Sequence, residues 1–341
     1  MVTATMSHLI RALCNSFYTM LCLSKIEQRT ALLLPRAAST TTSNRASRRY
    51  SQPARKRTTL SRLPPDTWDG HMHVVDPKRY PLAAGAVYEP SVHSVWDAVS
   101  FENTVGMSNI VLVQPSIYGN DNSAMLDAMR ALGPKRSRGV VVFDPSEMTA
   151  SSLELMHSLG VRGVRLNLAS TGAQPDIGAF KTTIQTYAAL VKPLGWMVQI
   201  YLPMSMLPAL ESTIRDLEVK ICLDHFAQPD ISQQDASQPF DPYTITGFSS
   251  LIRLLEEGNT FVKFSAPYRV KLEDRQLDAV AKEILRVRDD RAVFATDWPH
   301  TRFEGLDIKP FEERCLEWAE EAGCVERLFS ANAKELWSIG E

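Results

Sequence analysis

Short runs of apolar and β-branched residues alternate, from residue 67 onward, with longer segments whose apolar positions recur every three or four residues. The short runs predict β-strands, and the longer segments predict helices with one apolar face. The predicted strands are Thr67–Val75, Asn109–Gln114, Gly139–Phe143, Gly163–Leu168, Met197–Leu202, Lys220–His225, Thr260–Ser265 and Ala292–Asp297. The predicted helices are Val92–Val105, Ser123–Leu132, Ser152–Leu159, Ile177–Leu194, Met206–Leu217, Gly247–Glu257, Asp274–Arg288, Phe311–Ala322 and Val325–Trp337.

Eight strands that alternate with helices predict an α/β fold, a (β/α)8 barrel of the TIM type. The runs Ile110–Val113 and Val140–Phe143 are apolar on both faces, as buried parallel strands should be. A doubly wound open sheet is the alternative. It lacks support, because no GxGxxG motif follows the first strand and no phosphate-binding P-loop motif occurs in the chain.

Composition places the chain among globular proteins, since 44% of its 341 residues are apolar and 22% are charged. Its formal net charge of −2 is unevenly distributed: residues 1–60 contain ten Lys and Arg and one acidic residue, so residues 61–341 carry −11. A body this acidic disfavours nucleic acid as a partner. No apolar run approaches the roughly 18 residues of a membrane span, so no transmembrane helix is predicted.

Residues 1–60 differ from the rest of the chain and predict a separate N-terminal extension to a domain at 61–341. They are rich in Arg, Ser and Thr, and Leu9–Leu23 form an amphipathic apolar stretch. These features are typical of a mitochondrial transit peptide, and Arg48–Ser51 resembles a matrix-protease cleavage site. The chain is therefore expected in the mitochondrial matrix. A disordered or lineage-specific N-terminus, with a cytoplasmic protein, is the alternative.

Four residues at predicted strand ends carry the candidate chemistry. In such barrels the active site lies at the carboxyl ends of the strands. His71 and His73 are two residues apart on the first strand and therefore face the same side. His225 ends the sixth strand and Asp297 ends the eighth. Three imidazoles around one carboxylate form either a metal site or a site that activates water.

Other polar residues at or just beyond the strand ends suit an anionic, oxygen-rich substrate, because Arg can bind a carboxylate through two parallel hydrogen bonds. These candidate substrate-binding residues are Ser116, Tyr118, Arg165, Tyr201, Arg269, His300 and Arg302.

Four motifs resemble the amidohydrolase-related (family 2) proteins, and in particular the subgroup of 2-pyrone-4,6-dicarboxylate hydrolase and related lactonases. They are DGHMHVVDP at residues 69–77, VRGVRLN at 161–167, VKFSAPYR at 262–269 and ATDWPHT at 295–301. The likeness spans roughly residues 66–338, and the motifs occur in the expected order.

The resemblance implies a distorted (β/α)8 barrel that opens a lactone ring with water. Asp297 would be the general base, and the imidazoles of His71, His73 and His225 would polarise the carbonyl. A separate set would contact the substrate: Arg165, Tyr201 and Arg269 match positions that hold carboxylates or the lactone oxygen, with His300 in an outer ring.

Two departures from the subgroup point away from pyrone dicarboxylate itself. Thr171 stands where a second Arg is expected, and Arg302 replaces a small amide. A different carboxylated or hydroxylated lactone is therefore expected as the small anionic substrate. The loops Tyr80–Pro90 and Gln228–Tyr243 are expected to set its identity, the second as a mobile acidic cover over the mouth.

The sequence lacks two of the zinc ligands that are usual in this superfamily. Zinc hydrolases of this superfamily usually add a carboxylated Lys or a Glu on the fourth strand and a His on the fifth, where this chain has Arg165 and Tyr201. A guanidinium cannot ligate and repels a nearby cation. The expectation is metal-free hydrolysis without a cofactor. If one zinc ion is present, its ligands would be His71, His73, His225 and Asp297.

Two other functions remain as alternatives at this point. One is a zinc-dependent decarboxylase of an aromatic or unsaturated carboxylic acid, which uses a similar barrel. The other is a non-catalytic barrel kept as a scaffold or a ligand-binding protein, which the intact set of His71, His73 and Asp297 disfavours.

Overall fold

Eight parallel strands form one sheet in the order in which they occur in the chain. The computed structural model describes residues 59–168, 176–231 and 239–340. The strands are β1 (Trp68–Met72), β2 (Asn109–Val113), β3 (Ser137–Val141), β4 (Val161–Asn167), β5 (Met197–Tyr201), β6 (Ile221–Leu223), β7 (Thr260–Phe264) and β8 (Ala292–Phe294). This arrangement confirms the predicted barrel.

Helices alternate with the strands and cover the outside of the sheet. They are α1 (Val95–Val105), α2 (Ser123–Leu132), α3 (Ala150–Ser158), α4 (Ile177–Val191), α5 (Leu207–Arg215), α6 (Phe248–Glu256), α7 (Asp274–Arg288), α8 (Lys309–Ala322) and α9 (Asn332–Leu336). The segment predicted as one last helix, Val325–Trp337, instead begins with a π-helical turn, Arg327–Ala331. Among the residues that the structure describes, no helix combines the length and apolar character needed to cross a bilayer.

The barrel closes through the segment that follows β8. The backbone N–H of His73 donates to the carbonyl of Trp298 at 2.8 Å, and the N–H of Asp297 donates to the carbonyl of His71 at 2.9 Å. Met72 and Trp298 form a parallel bridge. Closure therefore sets the paired histidines directly beside Asp297.

The lower part of the barrel is filled with apolar side chains. Val111, Val140, Phe261 and other inward-facing residues form one buried cluster with Trp337. Gly70 lies where this cluster meets β8: a Cβ added to Gly70 would lie 2.9 Å from the carbonyl oxygen of Phe294 and 3.0 Å from the Trp337 ring. The candidate residues named from the strand ends lie at the opposite, upper end of the barrel, where the site forms.

The predicted N-terminal extension lies almost wholly outside the described residues. The described chain begins at Thr59, and Thr59–Ser61 form a short 3-10 helix. The Thr59 hydroxyl and the Arg62 guanidinium both donate to Glu313 in α8. The folded body therefore includes residues just before the predicted boundary at 61.

Candidate active site

The three imidazoles and the carboxylate named from the strand ends meet at the carboxyl end of the barrel. His71 Nε2 lies 3.2 Å from His73 Nε2. Oδ1 of Asp297 lies 3.6 Å from His71 Nε2, 3.8 Å from His73 Nε2 and 3.9 Å from His225 Nε2. His71, His225 and Asp297 are almost completely buried. The barrel thus gathers residues from β1 and from the segments after β6 and β8.

The two oxygens of Asp297 have different surroundings. Oδ2 accepts hydrogen bonds from Arg269 Nε at 2.7 Å and from the Tyr268 hydroxyl at 2.8 Å. Oδ1 faces the three imidazoles at distances beyond hydrogen bonding. Burial by itself raises the pKa of Asp297, but His225 and Arg269 outweigh it and hold the pKa well below its usual range. The carboxylate is therefore ionised, and Oδ1 is the oxygen open to a ligand or water.

The imidazoles are neutral near pH 7. Burial lowers the pKa of both His73 and His225 to about 4, although the charge of Asp297 acts in the opposite direction. His73 Nδ1 lies 2.7 Å from the carbonyl oxygen of Val113 and must donate to it. A neutral His73 then has its lone pair on Nε2, which faces His71 Nε2 at 3.2 Å. His225 Nδ1 lies 2.8 Å from Ser265 Oγ.

A second buried ionic group lies beneath the imidazoles. Oδ2 of Asp224 accepts from Arg165 Nε at 3.2 Å, from Arg165 Nη2 at 3.1 Å and from Gln199 Nε2 at 3.0 Å. Lys263 Nζ donates to Gln199 Oε1 at 2.8 Å. Burial opposes ionisation of Asp224, but the charge of Lys263 holds its pKa well below the usual range. Asp224 therefore anchors Arg165, a candidate substrate ligand.

A cleft of about 420 Å³, including the part open to solvent, leads to Asp297. The charged residues in and under this cleft include four cations (Arg165, Lys263, Arg269 and Arg302) and two carboxylates (Asp224 and Asp297). The cleft is lined by His73, Tyr88, Pro115, Ser116, Arg165, Asn167, Tyr201, His225, Arg269, Asp297, Thr301 and Arg302. Its excess of positive charge favours a negatively charged ligand.

Five of the candidate substrate-binding residues line the cleft: Ser116, Arg165, Tyr201, Arg269 and Arg302. Arg165 lies over the Tyr201 ring, with 5.7 Å between the guanidinium carbon and the ring centroid. Arg302, at the rim, lies over the ring of Tyr88 at 5.5 Å. These positions agree with a role in ligand contact.

Tyr118 and His300 lie elsewhere. The Tyr118 hydroxyl accepts from the backbone N–H of Asp76 at 2.8 Å, and the ring packs with Val75 and Ala124 in a separate buried cluster. The prediction that Tyr118 contacts substrate is therefore corrected: its hydroxyl already holds the chain after β1. His300 is buried behind the site, 5.9 Å from the Tyr268 ring between centroids. Thr171 and residues 232–238 of the predicted cover lie outside the described residues.

Four residues of the site had no role assigned from the sequence, although Lys263, Ser265 and Tyr268 lie at or just after the end of the seventh predicted strand. Tyr268 bonds to Asp297, Ser265 contacts His225, Tyr88 lines the cleft, and Lys263 lies beneath it. Lys263 and Ser265 are two residues apart at the end of β7, and so face one side. That spacing is the signal which could have identified them.

The site also offers ligands for a metal ion. His71, His225 and Asp297 each provide one ligand atom, and these atoms lie within 4.8 Å of one another. Imidazole nitrogen and carboxylate oxygen are common ligands of catalytic zinc. The donor set therefore fits one divalent ion, while Arg165 and Lys263 add positive charge nearby.

Comparisons with known proteins agree with this geometry. A curated 2-pyrone-4,6-dicarboxylate hydrolase of Comamonas testosteroni is 29% identical over 251 residues, which are 70% of this chain and 78% of that protein. A 4-sulfomuconolactone hydrolase of Hydrogenophaga intermedia is 27% identical over 256 residues, 72% of this chain and 78% of that protein.

Solved structures show the same likeness. A Pseudomonas putida protein described as a 2-pyrone-4,6-dicarboxylic acid hydrolase superposes with a TM-score of 0.65 at 28% identity, covering 82% of this chain and all of that one. The amidohydrolase family model (Amidohydro_2) matches residues 68–339. The chain therefore belongs to the amidohydrolase family and is a hydrolase.

Proposed function

We propose that this protein hydrolyses the ring ester of a small, negatively charged lactone, with water as the nucleophile. The observation that carries the proposal is the asymmetry of Asp297. One oxygen is held by Arg269 and Tyr268, and the other is open towards a cationic cleft. The similarity to curated lactone hydrolases supports the same reaction class.

In the proposed reaction, Asp297 Oδ1 accepts a proton from a water molecule as the water oxygen attacks the lactone carbonyl carbon. The tetrahedral intermediate then collapses and breaks the ring C–O bond. The proton held by Asp297 passes to the leaving oxygen, which leaves a hydroxy acid as product. No oxidant or other co-reactant is needed.

Neutral imidazole stabilises the developing oxyanion in this proposal. Ser265 Oγ lies 2.8 Å from His225 Nδ1. If the hydroxyl donates to Nδ1, the ring proton of His225 is on Nε2, which points towards the site. That N–H and the guanidinium of Arg165 can donate to the oxyanion, and such donors are worth most in a water-excluded site.

The low pKa of Asp297 in the free protein makes it a weak base. Binding of an anionic substrate would raise this pKa. A substrate carboxylate near Arg165 and Arg269 offsets part of their positive charge. Because the charge of Arg269 helps to hold the pKa of Asp297 down, substrate binding should raise it. The negative group of the substrate would then serve catalysis as well as binding.

We further propose that hydrolysis does not require a metal. Arg165, Lys263 and Arg269 already supply positive charge beside the carboxylates, and a divalent cation would be repelled by them. An ion bound here would be held by His71, His225 and Asp297, and would supply Lewis-acid polarisation and a more acidic water.

A panel of lactones that differ in ring size and in charge tests the proposed function. We expect turnover of lactones that carry a carboxylate or sulfonate, weaker turnover of neutral ones, and unchanged rates after dialysis against a chelator. Metal analysis of the same samples accompanies the assay. Absence of turnover across the panel, or zinc-dependent release of CO₂ from an aromatic acid, would reject lactone hydrolysis.

A further inference from the structure

His71 lies between two opposite charges that the proposed reaction does not use. Its Nδ1 atom is 3.3 Å from Lys263 Nζ and 3.4 Å from Asp224 Oδ1. All three side chains are buried, with at most 1% of each residue exposed. Nδ1 can accept a hydrogen bond from the ammonium or donate one to the carboxylate, but a single nitrogen cannot do both.

The other side of the ring favours the first of these two arrangements. His73 Nδ1 must donate to the carbonyl of Val113, so the Nε2 atom of a neutral His73 is an acceptor. The 3.2 Å contact between the Nε2 atoms of His71 and His73 then needs its hydrogen from His71. His71 with its hydrogen on Nε2 leaves a lone pair on Nδ1, which Lys263 can satisfy.

The hydrogen bonds therefore all donate in one direction, from Lys263 through His71 and His73 to the carbonyl of Val113. A second proton on His71 would point at the ammonium 3.3 Å away and would be repelled. Oδ1 of Asp224, in contrast, accepts no well-formed hydrogen bond, although it lies 3.4 Å from both Lys263 Nζ and His71 Nδ1. It is the partner that Nδ1–H would take if this direction were reversed.

We propose that Lys263 is a positioning residue that holds His71 with its hydrogen on Nε2, and that Asp224 Oδ1 is the partner of the other tautomer. This inference rests on the proposed function. With its hydrogen on Nε2, His71 has no Nε2 lone pair for a cation. With its hydrogen on Nδ1, His71 presents that lone pair to the site. Lys263 would thereby set the site for water activation by Asp297 and against metal ligation.

The direct test is ¹⁵N nuclear magnetic resonance of histidine-labelled protein, which distinguishes the two tautomers of a neutral imidazole. The His71 signals are assigned by their loss in His71→Gln. We expect the His71 hydrogen on Nε2 in the wild-type protein. In Lys263→Met, which keeps an unbranched side chain and removes the ammonium, we expect it on Nδ1, because a charge-assisted bond to Asp224 then outweighs the neutral contact with His73.

Gln199→Leu is the matched control, because Gln199 contacts Lys263 and Asp224 but not His71. We expect its His71 tautomer to remain that of the wild type. Zinc titration provides a second readout. Residues that bond to a metal ligand typically change metal affinity 10- to 100-fold. We therefore expect Lys263→Met to bind zinc about 10-fold more tightly than wild type and Gln199→Leu to change the affinity less.

A His71 hydrogen on Nδ1 in the wild-type protein would overturn the inference even if Lys263→Met failed to fold. An unchanged tautomer in folded Lys263→Met would overturn it as well. The resonance measurement needs no substrate, so it is independent of the lactone panel. The predicted tautomers in a protein that hydrolyses no lactone would reject the proposed function and leave the role of Lys263 intact.

Discussion

Arg302 is the residue through which the cleft can recognise charge at its rim. It lines the cleft and is exposed, and its guanidinium lies over the ring of Tyr88. Arg165 and Arg269, deeper in the cleft, are each held by a carboxylate. Arg302 is thus placed to meet a negative group that projects from the lactone ring towards solvent.

Replacing Arg302 with Gln should raise KM for anionic lactones roughly 3- to 10-fold, since a partly exposed charge-assisted hydrogen bond is worth about 1 kcal/mol. The kcat value should change little, and the difference should shrink at high salt. Steady-state kinetics at two ionic strengths measures both. Arg79→Gln, an exposed change outside the cleft, is the control. An unchanged KM for every anionic lactone would remove Arg302 from the binding site.

Tyr268 should tune the basicity of Asp297, because its hydroxyl donates to Oδ2 at 2.8 Å. Removing one donor to a carboxylate raises its pKa. In Tyr268→Phe, the acidic limb of the kcat profile, which reports the enzyme–substrate complex, should therefore move to higher pH, by about one unit or less for one hydrogen bond. Tyr243→Phe, at an exposed tyrosine bonded to Glu283, should leave the limb in place. A limb that moves equally in both variants would argue against this role for Tyr268.

Site residues could be predicted only where they lie at a strand end, because the strand determines the direction in which their side chains point. His71, His73, His225 and Asp297 were identified because side chains at these ends face the mouth. Ser116 and Tyr118 occur in a 3-10 helix, Ser116–Tyr118. With three residues per turn, positions two apart point to different sides, so Ser116 faces the cleft and Tyr118 does not. No feature of the sequence alone predicts that 3-10 helix.

At the scale of the elements, the strand count and order were predictable and the strand ends were not. β6 ends at Leu223 and β8 at Phe294, both earlier than the apolar pattern indicated. After β6 the chain takes left-handed backbone angles from His225 to Gln228. Residues other than glycine seldom adopt these angles, so the pattern gave no sign of them. This turn positions the His225 ring beside Asp297.

Helix α8 contains a buried acid whose ionisation should make stability depend on pH. Glu312, in the first turn of α8, is buried, and its Oε1 has no hydrogen-bond partner. Burial, followed by the charge of Asp69, raises its pKa to about 8. Between pH 4.5 and 8 the carboxyl is ionised in the unfolded chain and protonated in the folded protein. The folded state then binds more protons, so this group lowers stability as pH rises through that window.

Glu312→Gln should remove this dependence. Relative to wild type, we expect its free energy of unfolding to be higher at pH 8 than at pH 5 by roughly 2–4 kcal/mol. Denaturant unfolding at the two pH values measures the difference. The adjacent Glu313→Gln is the control, because Arg62 and Thr59 lower the pKa of Glu313. It should lose a little stability, and more at pH 8 than at pH 5. Equal pH dependence in wild type and Glu312→Gln would contradict the assignment.

At the scale of the whole molecule, the N-terminal residues 1–60 are basic and residues 61–341 are acidic. We propose that residues 1–60 direct the protein to the mitochondrial matrix, because they are Arg-rich, nearly free of acids and partly amphipathic. A fluorescent protein fused to the C-terminus should localise to mitochondria, and deletion of residues 1–58 should leave it in the cytosol. A cytosolic signal from the full-length fusion would reject the targeting role.

The proposed reaction depends on Asp297 accepting the proton of water. Asp297→Asn keeps the shape of the side chain, and its amide oxygen can still accept from Arg269 and Tyr268. The most direct test is kcat of this variant on the best lactone of the panel. Circular dichroism checks its fold, and Asp144→Asn, an exposed change outside the cleft, is the control. We predict a loss of about 10²- to 10⁴-fold in kcat, the usual contribution of a general base. A folded Asp297→Asn protein with kcat near that of wild type would contradict the mechanism.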